Sequence, residues 1–145
     1  MKIYLDTNII IDALDPTREG YEDACTILHL AKEHKIELFL STQSILDTYY
    51  SARKHAPSLK LLRQSLFELT QFVNIVSIHQ FGVAKALKAG VSDVEDLAQA
   101  ATADAESCQL VITNDKDFPY YPDVYPIPQM SSKTFVEMCR SVEVS

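Results

Sequence analysis

The chain has 145 residues, of which 47% are hydrophobic and 23% charged, and its formal net charge is −7. A chain of this length most simply forms one domain over residues 1–145 with a sizeable buried core. No apolar run reaches the roughly 18 residues that span a bilayer. The start MKIYLDTN lacks the layout of a signal peptide, so we expect a cytoplasmic protein that does not enter membranes.

The first half of the chain alternates strand-like with helix-like segments. Residues 2–5 (KIYL) predict a strand, and residues 8–14 (NIIIDAL) predict a helix that stops near the Asp-Pro pair that follows. Residues 19–34 place apolar side chains at helical spacing, which predicts a second helix. A second strand is predicted at residues 37–41 (ELFLS). A third helix is predicted at residues 43–56, before a proline that disfavours helix at its predecessor.

The second half repeats this alternation. Leucines on one face predict a helix over residues 58–71, and a β-branched run predicts a third strand over residues 73–78. A short helix closed by Gly90 follows, and the motif SDVE fits a capping box with Ser92 as N-cap and Glu95 reaching back. The later predicted elements are a helix to about residue 107, strands over residues 109–113 and 123–127, and a last helix from about residue 132.

Strands separated by helices indicate crossover connections, and therefore a mainly parallel sheet with helices on both faces. The strands are short, apolar and rich in β-branched residues, as burial on both faces requires. The sequence thus predicts an α/β fold, a three-layer α/β/α domain built on a mainly parallel sheet of five strands.

Acidic residues follow the predicted strands where ligands bind in such sheets, beyond the carboxyl ends. Asp6 follows the first strand, and Asp47 lies in the helix that leaves the second. Asp96 lies in the first turns of a later helix, and Asp115 and Asp117 follow the fourth strand. If the strand order brings these ends together, four or five carboxylates share one pocket. Taken singly, each acid could instead cap a helix, face solvent or support a turn.

Several carboxylates in one pocket favour a bound cation. Two unit charges about 4 Å apart repel each other by about 4 kcal/mol at an effective dielectric constant of about 20. Such acids either take up protons or share a cation, and an all-aspartate cluster selects Mg²⁺ or Mn²⁺. The cysteines and histidines show no CxxC or HExxH spacing that would indicate zinc. Paired divalent ions can activate water and stabilise the leaving oxygen of a phosphodiester.

Four segments, in order along the chain, resemble the PIN-domain ribonucleases. They are YLDTNIIID at residues 4–12, LSTQSILD at residues 40–47, DVEDLAQAATA at residues 93–103 and LVITNDKDF at residues 110–118. The likeness covers almost the whole chain and is closest to small bacterial members such as the VapC-like toxins of toxin–antitoxin pairs. It implies a PIN-like parallel five-stranded sheet between helices and metal-dependent cleavage of RNA.

The resemblance also assigns roles to individual residues. The family's four acids map to Asp6, Asp47, Asp96 and Asp115, with Asp117 as a neighbouring acid, and these five are the expected catalytic residues. All of them except Asp47 are expected to hold the metal. The polar positions expected to support the acids are Thr7, Asn8, Thr113 and Asn114. The second acid is usually glutamate in this family, so the shorter side chain of Asp47 departs from its pattern.

Residues and resemblance together predict a Mg²⁺- or Mn²⁺-dependent endoribonuclease, the toxin of a type II toxin–antitoxin pair. Its expected partners are an RNA substrate, a cognate antitoxin and a second copy in a homodimer. Basic side chains that could contact RNA phosphates, or simply face solvent, are Arg53, Lys54, Lys60 and Arg63. The alternative is a PIN-like module that binds RNA or protein without cutting. A phosphatase or receiver domain is disfavoured, because no DxDxT-like motif follows the first strand.

Overall fold

A computed structural model describes residues 1–116, 118 and 127–144 of the chain. Its elements are β1 (Lys2–Leu5), α1 (Thr7–Leu14), α2 (Tyr21–Lys32), β2 (Glu37–Ser41), α3 (Thr42–Ala52), α4 (Leu59–Phe72), β3 (Asn74–Val76), α5 (Gln80–Lys88), α6 (Val94–Ala105), β4 (Leu110–Ile112), β5 (Gln129–Met130) and α7 (Ser132–Val144). In this described part of the chain, every helix is too short or too polar to cross a lipid bilayer.

The five strands form one sheet in the order β3-β2-β1-β4-β5, and all neighbouring strands are parallel. Strand β1 lies at the centre, where Ile3 pairs with Leu38 on one side and Leu110 on the other. Parallel pairing places the carboxyl ends of all strands at the same edge of the sheet. The predicted α/β fold with a five-stranded parallel sheet is confirmed.

Both faces of the sheet are covered, because successive side chains along a strand point to opposite faces. Ile3 and Leu5 pack into a core with the apolar sides of α1, α2, α4 and α7, while Tyr4 packs on the other face against α5 and α6. Leu110 and Val111 of β4 divide between the two cores in the same way. The result is a three-layer α/β/α arrangement in which β1 is buried on both sides.

Several element boundaries differ from the sequence prediction. The strand predicted at residues 123–127 lies outside the described residues except for Ile127, which is not in a strand, and β5 is Gln129–Met130. The predicted capping box is wrong, since the N-cap of α6 is Asp93 and not Ser92. The Asp93 carboxylate accepts the Asp96 N–H at 3.1 Å, because aspartate serves as an N-cap as readily as serine.

Candidate active site

Asp6 lies where β1 gives way to α1 at the carboxyl edge of the sheet. Leu5 pairs with Ile112 of β4, so the residues that follow these two strands, Asp6 and Thr113, lie side by side. The backbone N–H of Asp6 donates to the Ile112 carbonyl at 3.0 Å, which continues the ladder by one residue. The Asp6 side chain is 6% exposed and caps the N-terminus of α1. The chain therefore buries a carboxylate at the centre of this edge.

Three donors hold the Asp6 carboxylate. It accepts hydrogen bonds from the Thr7 backbone N–H at 2.8 Å, from Asn8 Nδ2 at 3.2 Å and from Thr113 Oγ1 at 2.7 Å. Burial nevertheless raises its pKa above the ordinary value, against the lowering effect of the Thr113 and Thr7 hydrogen bonds and with a further rise from the charge of Asp115. The site thus orients this carboxylate but leaves its negative charge incompletely compensated.

Three more acids meet beside Asp6. One carboxylate oxygen from each of Asp93, Asp96 and Asp115 lies within 4.8 Å of the others, which makes them a candidate metal-binding group. Asp93 and Asp96 come from the start of α6, and Asp115 comes from the segment after β4. Residues that the sequence separates by about twenty positions meet here because both chain segments lie at the carboxyl edge of the sheet.

Burial and the neighbouring acids together raise the pKa of Asp96 to about 8. Burial is the largest cause, followed by a hydrogen bond with Asp93 and by the negative charges of Asp6, Asp93 and Asp115. Near neutral pH, the metal-free site therefore keeps a proton on Asp96. A divalent cation would replace that proton and favour the charged carboxylates.

A second pair of acids lies at the rim of the same site. Glu95 of α6 hydrogen-bonds with Asp47 of α3, and its pKa is raised by burial first and then by the charge of Asp47 and by that hydrogen bond. The charges of Asp93 and Asp6 add to the effect, which connects the pair electrostatically to the rest of the site. Gln43, one turn earlier on α3, donates to Asp47 Oδ1 at 2.9 Å.

Asn114 ties the segment that carries Asp115 to the body of the domain. Its backbone N–H donates to Asn8 Oδ1 at 3.3 Å, and its side-chain amide donates to Asp12 Oδ2 at 3.0 Å. Its Oδ1 accepts the backbone N–H of Ser132, at the start of α7, at 3.0 Å. Asp12 is 5% exposed and pairs with Arg18 at 2.6 Å, so the carboxylate beneath Asn114 is compensated by a cation of the chain itself.

The structure brings most, but not all, of the predicted site residues to the same edge of the sheet. The acids brought to the edge of the sheet are Asp6, Asp47, Asp96 and Asp115, while Asp117 lies outside the described residues. The predicted supporting residues Thr7, Asn8 and Thr113 contact Asp6, and Asn114 contacts Asn8. The sequence reasoning left out Asp93 and Glu95, for which the signal was the motif DVED, with three acids in four residues at the start of α6.

The four basic candidates for RNA contact are all exposed: Arg53 and Lys54 directly follow the end of α3, and Lys60 and Arg63 lie in the first two turns of α4. The Arg53 guanidinium lies 4.4 Å from the centroid of the Tyr50 ring. Lys60 and Arg63 line one side of an open surface cavity of about 550 Å³ together with Phe67. Arg53 follows Asp47 by six residues, which corresponds to about 9 Å along a helix axis.

Comparison with known proteins agrees with this arrangement. The model of the PIN domain family matches residues 3–124. The chain belongs to the PIN-domain family. Ribonuclease VapC1 of Aquifex aeolicus (strain VF5) is 30% identical over 131 residues, which cover 85% of this chain and 87% of that relative. The family assignment made from the sequence is confirmed.

Solved PIN-domain structures share the fold at low sequence identity. VapBC2 from Rickettsia felis, bound to a DNA fragment from its promoter, matches with a TM-score of 0.62 and 19% identity over 90% of this chain and 98% of that one. VapC20 of Mycobacterium tuberculosis, a toxin that cleaves the sarcin-ricin loop, matches with a TM-score of 0.64 and 13% identity over 80% of this chain and 92% of that one. These matches support the fold of the PIN domain described above.

The raised pKa of Asp96 predicts how the stability of this PIN domain depends on pH. The native state binds the proton more tightly than the unfolded chain, so it holds more protons between about pH 4 and pH 8. The free energy of unfolding of the metal-free protein should therefore fall as the pH rises through that window. Urea denaturation at a series of pH values measures this dependence.

Asp96→Asn should flatten this pH dependence and raise the melting temperature of the metal-free protein at pH 8 by about 2–4 °C. The matched control is Asp104→Asn, which changes an exposed acid near the other end of α6 and should keep the pH dependence of the original chain. An unchanged slope in Asp96→Asn would show that repulsion at this carboxylate does not limit the stability of the fold.

A substitution at Gly20 tests the hydrogen bond between Asp12 and Asn114. A Cβ at this position would collide with the Asp12 carboxylate and lie 3.1 Å from Asn114 Nδ2. Gly20→Ala should therefore lower the free energy of unfolding by about 1–3 kcal/mol, and the preference of an N-cap position for glycine over alanine acts in the same direction. Glu19→Ala, at the exposed neighbouring position, is the control and should unfold like the original chain in urea. Equal stability of both variants would mean that the Asp12–Asn114 contact adapts without cost.

Proposed function

We propose that this chain is a Mg²⁺- or Mn²⁺-dependent endoribonuclease that hydrolyses RNA phosphodiester bonds in the cytoplasm as the toxin of a type II toxin–antitoxin pair. The observation that carries the proposal is the meeting of Asp93, Asp96 and Asp115 beside the buried Asp6. Membership of the PIN-domain family and the 30% identity to Ribonuclease VapC1 support a nuclease. We further propose that residues 1–145 form a single domain.

The donor set fits a hard divalent cation. All its ligand atoms are carboxylate oxygens, and the pKa of Asp96 is raised by burial and by the negative charges of the neighbouring acids. We assign the metal to Asp6, Asp93, Asp96 and Asp115; Asp117, proposed from the sequence, lies outside the described residues. When bound, the cation would stabilise negative charge on the phosphodiester and lower the pKa of a coordinated water.

The protein side chains would then orient the groups that react. The donors around Asp6 keep its carboxylate in one orientation toward the site. Asp47 and Glu95 share a hydrogen bond at the rim, where they would position the attacking water and receive its proton. The raised pKa of Glu95 makes its carboxylate a stronger base than an ordinary glutamate. Asp47 is one methylene shorter than the glutamate that is usual in this family. Glu95 of α6 is a longer acid beside it and would extend into the space that Asp47 does not reach.

The partners of the chain are proposed from its chemistry and its neighbours. The substrate is RNA, guided to the acids by the exposed basic residues Arg53, Lys54, Lys60 and Arg63. A cognate antitoxin and a homodimer complete the proposal, and the match to VapBC2 supports the first of these. The gene next to this one should then encode a small DNA-binding protein, and co-purification of the two products would test that.

Removal of either central acid should abolish cleavage. Asp6→Asn and Asp96→Asn should each lower the rate of RNA cleavage in Mn²⁺ by about 10²-fold or more, because a neutral amide binds the cation weakly. Gel analysis of RNA fragments measures the cleavage rate, and calorimetric titration of MnCl₂ into the protein measures the binding of the cation. Asp104→Asn on α6 is the control and should cleave at the original rate.

Two results would contradict the proposal in different ways. Full cleavage by Asp6→Asn and Asp96→Asn would place the active site elsewhere. If the original chain shows no cleavage and no saturable Mn²⁺ binding, that result favours the alternative, a PIN-like module that binds RNA or protein without cutting. A measurement of RNA binding without Mn²⁺ would then show whether the partner of this module is RNA.

The basic residues of α4 can be tested separately from catalysis. In an Asp6→Asn background, which prevents cleavage, Lys60→Ala combined with Arg63→Ala should weaken the binding of single-stranded RNA. The slope of log K against log salt should become shallower by about 0.7 for each lost phosphate contact. Fluorescence anisotropy at several salt concentrations measures both quantities. Lys88→Ala on α5 is the control. If it weakens RNA binding as much as the α4 variant does, the electrostatic attraction for RNA is not local to α4.

A further inference from the structure

A hydrogen-bonded network of five polar side chains connects β1, α1, β2, α3 and α6. Gln99 of α6 lies at its centre and is 1% exposed. Its Oε1 accepts a hydrogen bond from the Tyr4 hydroxyl, and its Nε2 donates to Ser44 Oγ at 3.4 Å. Ser44 Oγ also contacts Ser41 Oγ at 3.1 Å and Thr7 Oγ1 at 2.7 Å. All members except Thr7 are buried, so their polar atoms depend on one another.

The inventory of donors and acceptors gives these hydrogen bonds a direction. The Ser44 hydroxyl oxygen accepts from Ser41 and from Gln99, which occupies both of its acceptor positions. Its single proton is therefore donated to Thr7 Oγ1. The bonds run one way, from Tyr4 through Gln99 and Ser44 to Thr7, whose backbone N–H in turn donates to the carboxylate of the preceding residue.

The elements joined by this network are those that carry the acids. Thr7 directly follows Asp6, and Gln99 follows Asp96 by three residues on α6, which places the two on the same face of the helix. Ser44 likewise lies three residues before the acid that α3 carries. A shift of α6 against β1 would therefore break the network and change the spacing of the carboxylates together.

Carboxylates that repel one another tend to push apart the elements that carry them, unless other contacts hold the spacing. We propose that Gln99 is a positioning residue, which fixes α6 against β1 and α3 and so sets the spacing at which the acids can share one divalent cation. This inference rests on the proposed metal-dependent function. Hydrogen bonds that orient metal ligands typically contribute about 10–100-fold to metal affinity.

Substitution at the two ends of the Tyr4–Gln99 bond tests this role. Gln99→Met keeps the length of the side chain but removes both hydrogen bonds, and the Kd for Mn²⁺ should rise by about 10-fold. Tyr4→Phe removes one hydroxyl and keeps the buried ring, so the Kd should rise by a smaller factor. The double variant should bind no more weakly than Gln99→Met alone, because both changes break the same network. Calorimetric titration of MnCl₂ into metal-free protein measures each Kd.

Thr102→Val is the matched control. Thr102 is a buried residue of the same helix, and its hydroxyl donates to the Ala98 carbonyl at 2.9 Å, one turn earlier on α6. This variant should lose thermal stability, as Gln99→Met does, but should bind Mn²⁺ with the affinity of the original chain. A fall in stability without a change in Mn²⁺ affinity would be the signature of a merely structural role.

The possible outcomes separate this inference from the function on which it rests. If Gln99→Met fails to fold, the Kd of Tyr4→Phe decides the question. If Tyr4→Phe binds Mn²⁺ as tightly as the original chain, and Gln99→Met does so wherever it folds, the positioning role is wrong and the proposed metal site stands. If the original chain binds no Mn²⁺, the proposed function fails and the positioning role fails with it.

Discussion

Carboxylates gathered at one edge of the sheet repel one another, and the surrounding hydrogen bonds and packing have to hold them in place. Burial and neighbouring negative charge both favour the protonated forms of Asp6, Glu95 and Asp96, and each of these acids has a raised pKa. The chain offsets part of this cost with hydrogen-bond donors around Asp6. The part that remains is what a divalent cation can offset, so an arrangement that destabilises the metal-free fold is also one that favours metal binding.

Strand topology explains how acids far apart in the sequence come to repel one another at all. With β1 at the centre of a parallel sheet, the residue after β1 lies beside the residue after β4. Helix α6 packs on the face of the sheet that carries Tyr4, and its first turn brings Asp93 and Asp96 to the same edge. The two cores, one on each face, therefore determine the geometry of the site by fixing α1 and α6 on opposite sides of β1.

Sequence patterns predict the parts of this geometry that depend on local periodicity and on the general rule for parallel sheets. The fold and the position of Asp6 at a strand end follow from those patterns. They did not predict β5, because β-propensity indicates which residues suit a strand but not which lie opposite β4; there, Val111 donates to the Pro128 carbonyl. They placed the N-cap of α6 at Ser92 instead of Asp93, because serine and aspartate are both good N-caps. Gln99 gave no signal either, since glutamine usually lies on the surface.

The start of α6 brings further acids close to Asp47, at the position where the resemblance to the family leads one to expect a glutamate. An aspartate carries the same charge as a glutamate but reaches one methylene less far from its helix. Glu95 of α6 hydrogen-bonds with Asp47, while Asp93 joins the group around Asp96. Three acids of the site thus belong to one helix, and their distance from Asp6 varies with any movement of α6 as a whole. A site built in this way needs a firm contact between α6 and β1, and the buried hydrogen bond between Tyr4 and Gln99 is such a contact.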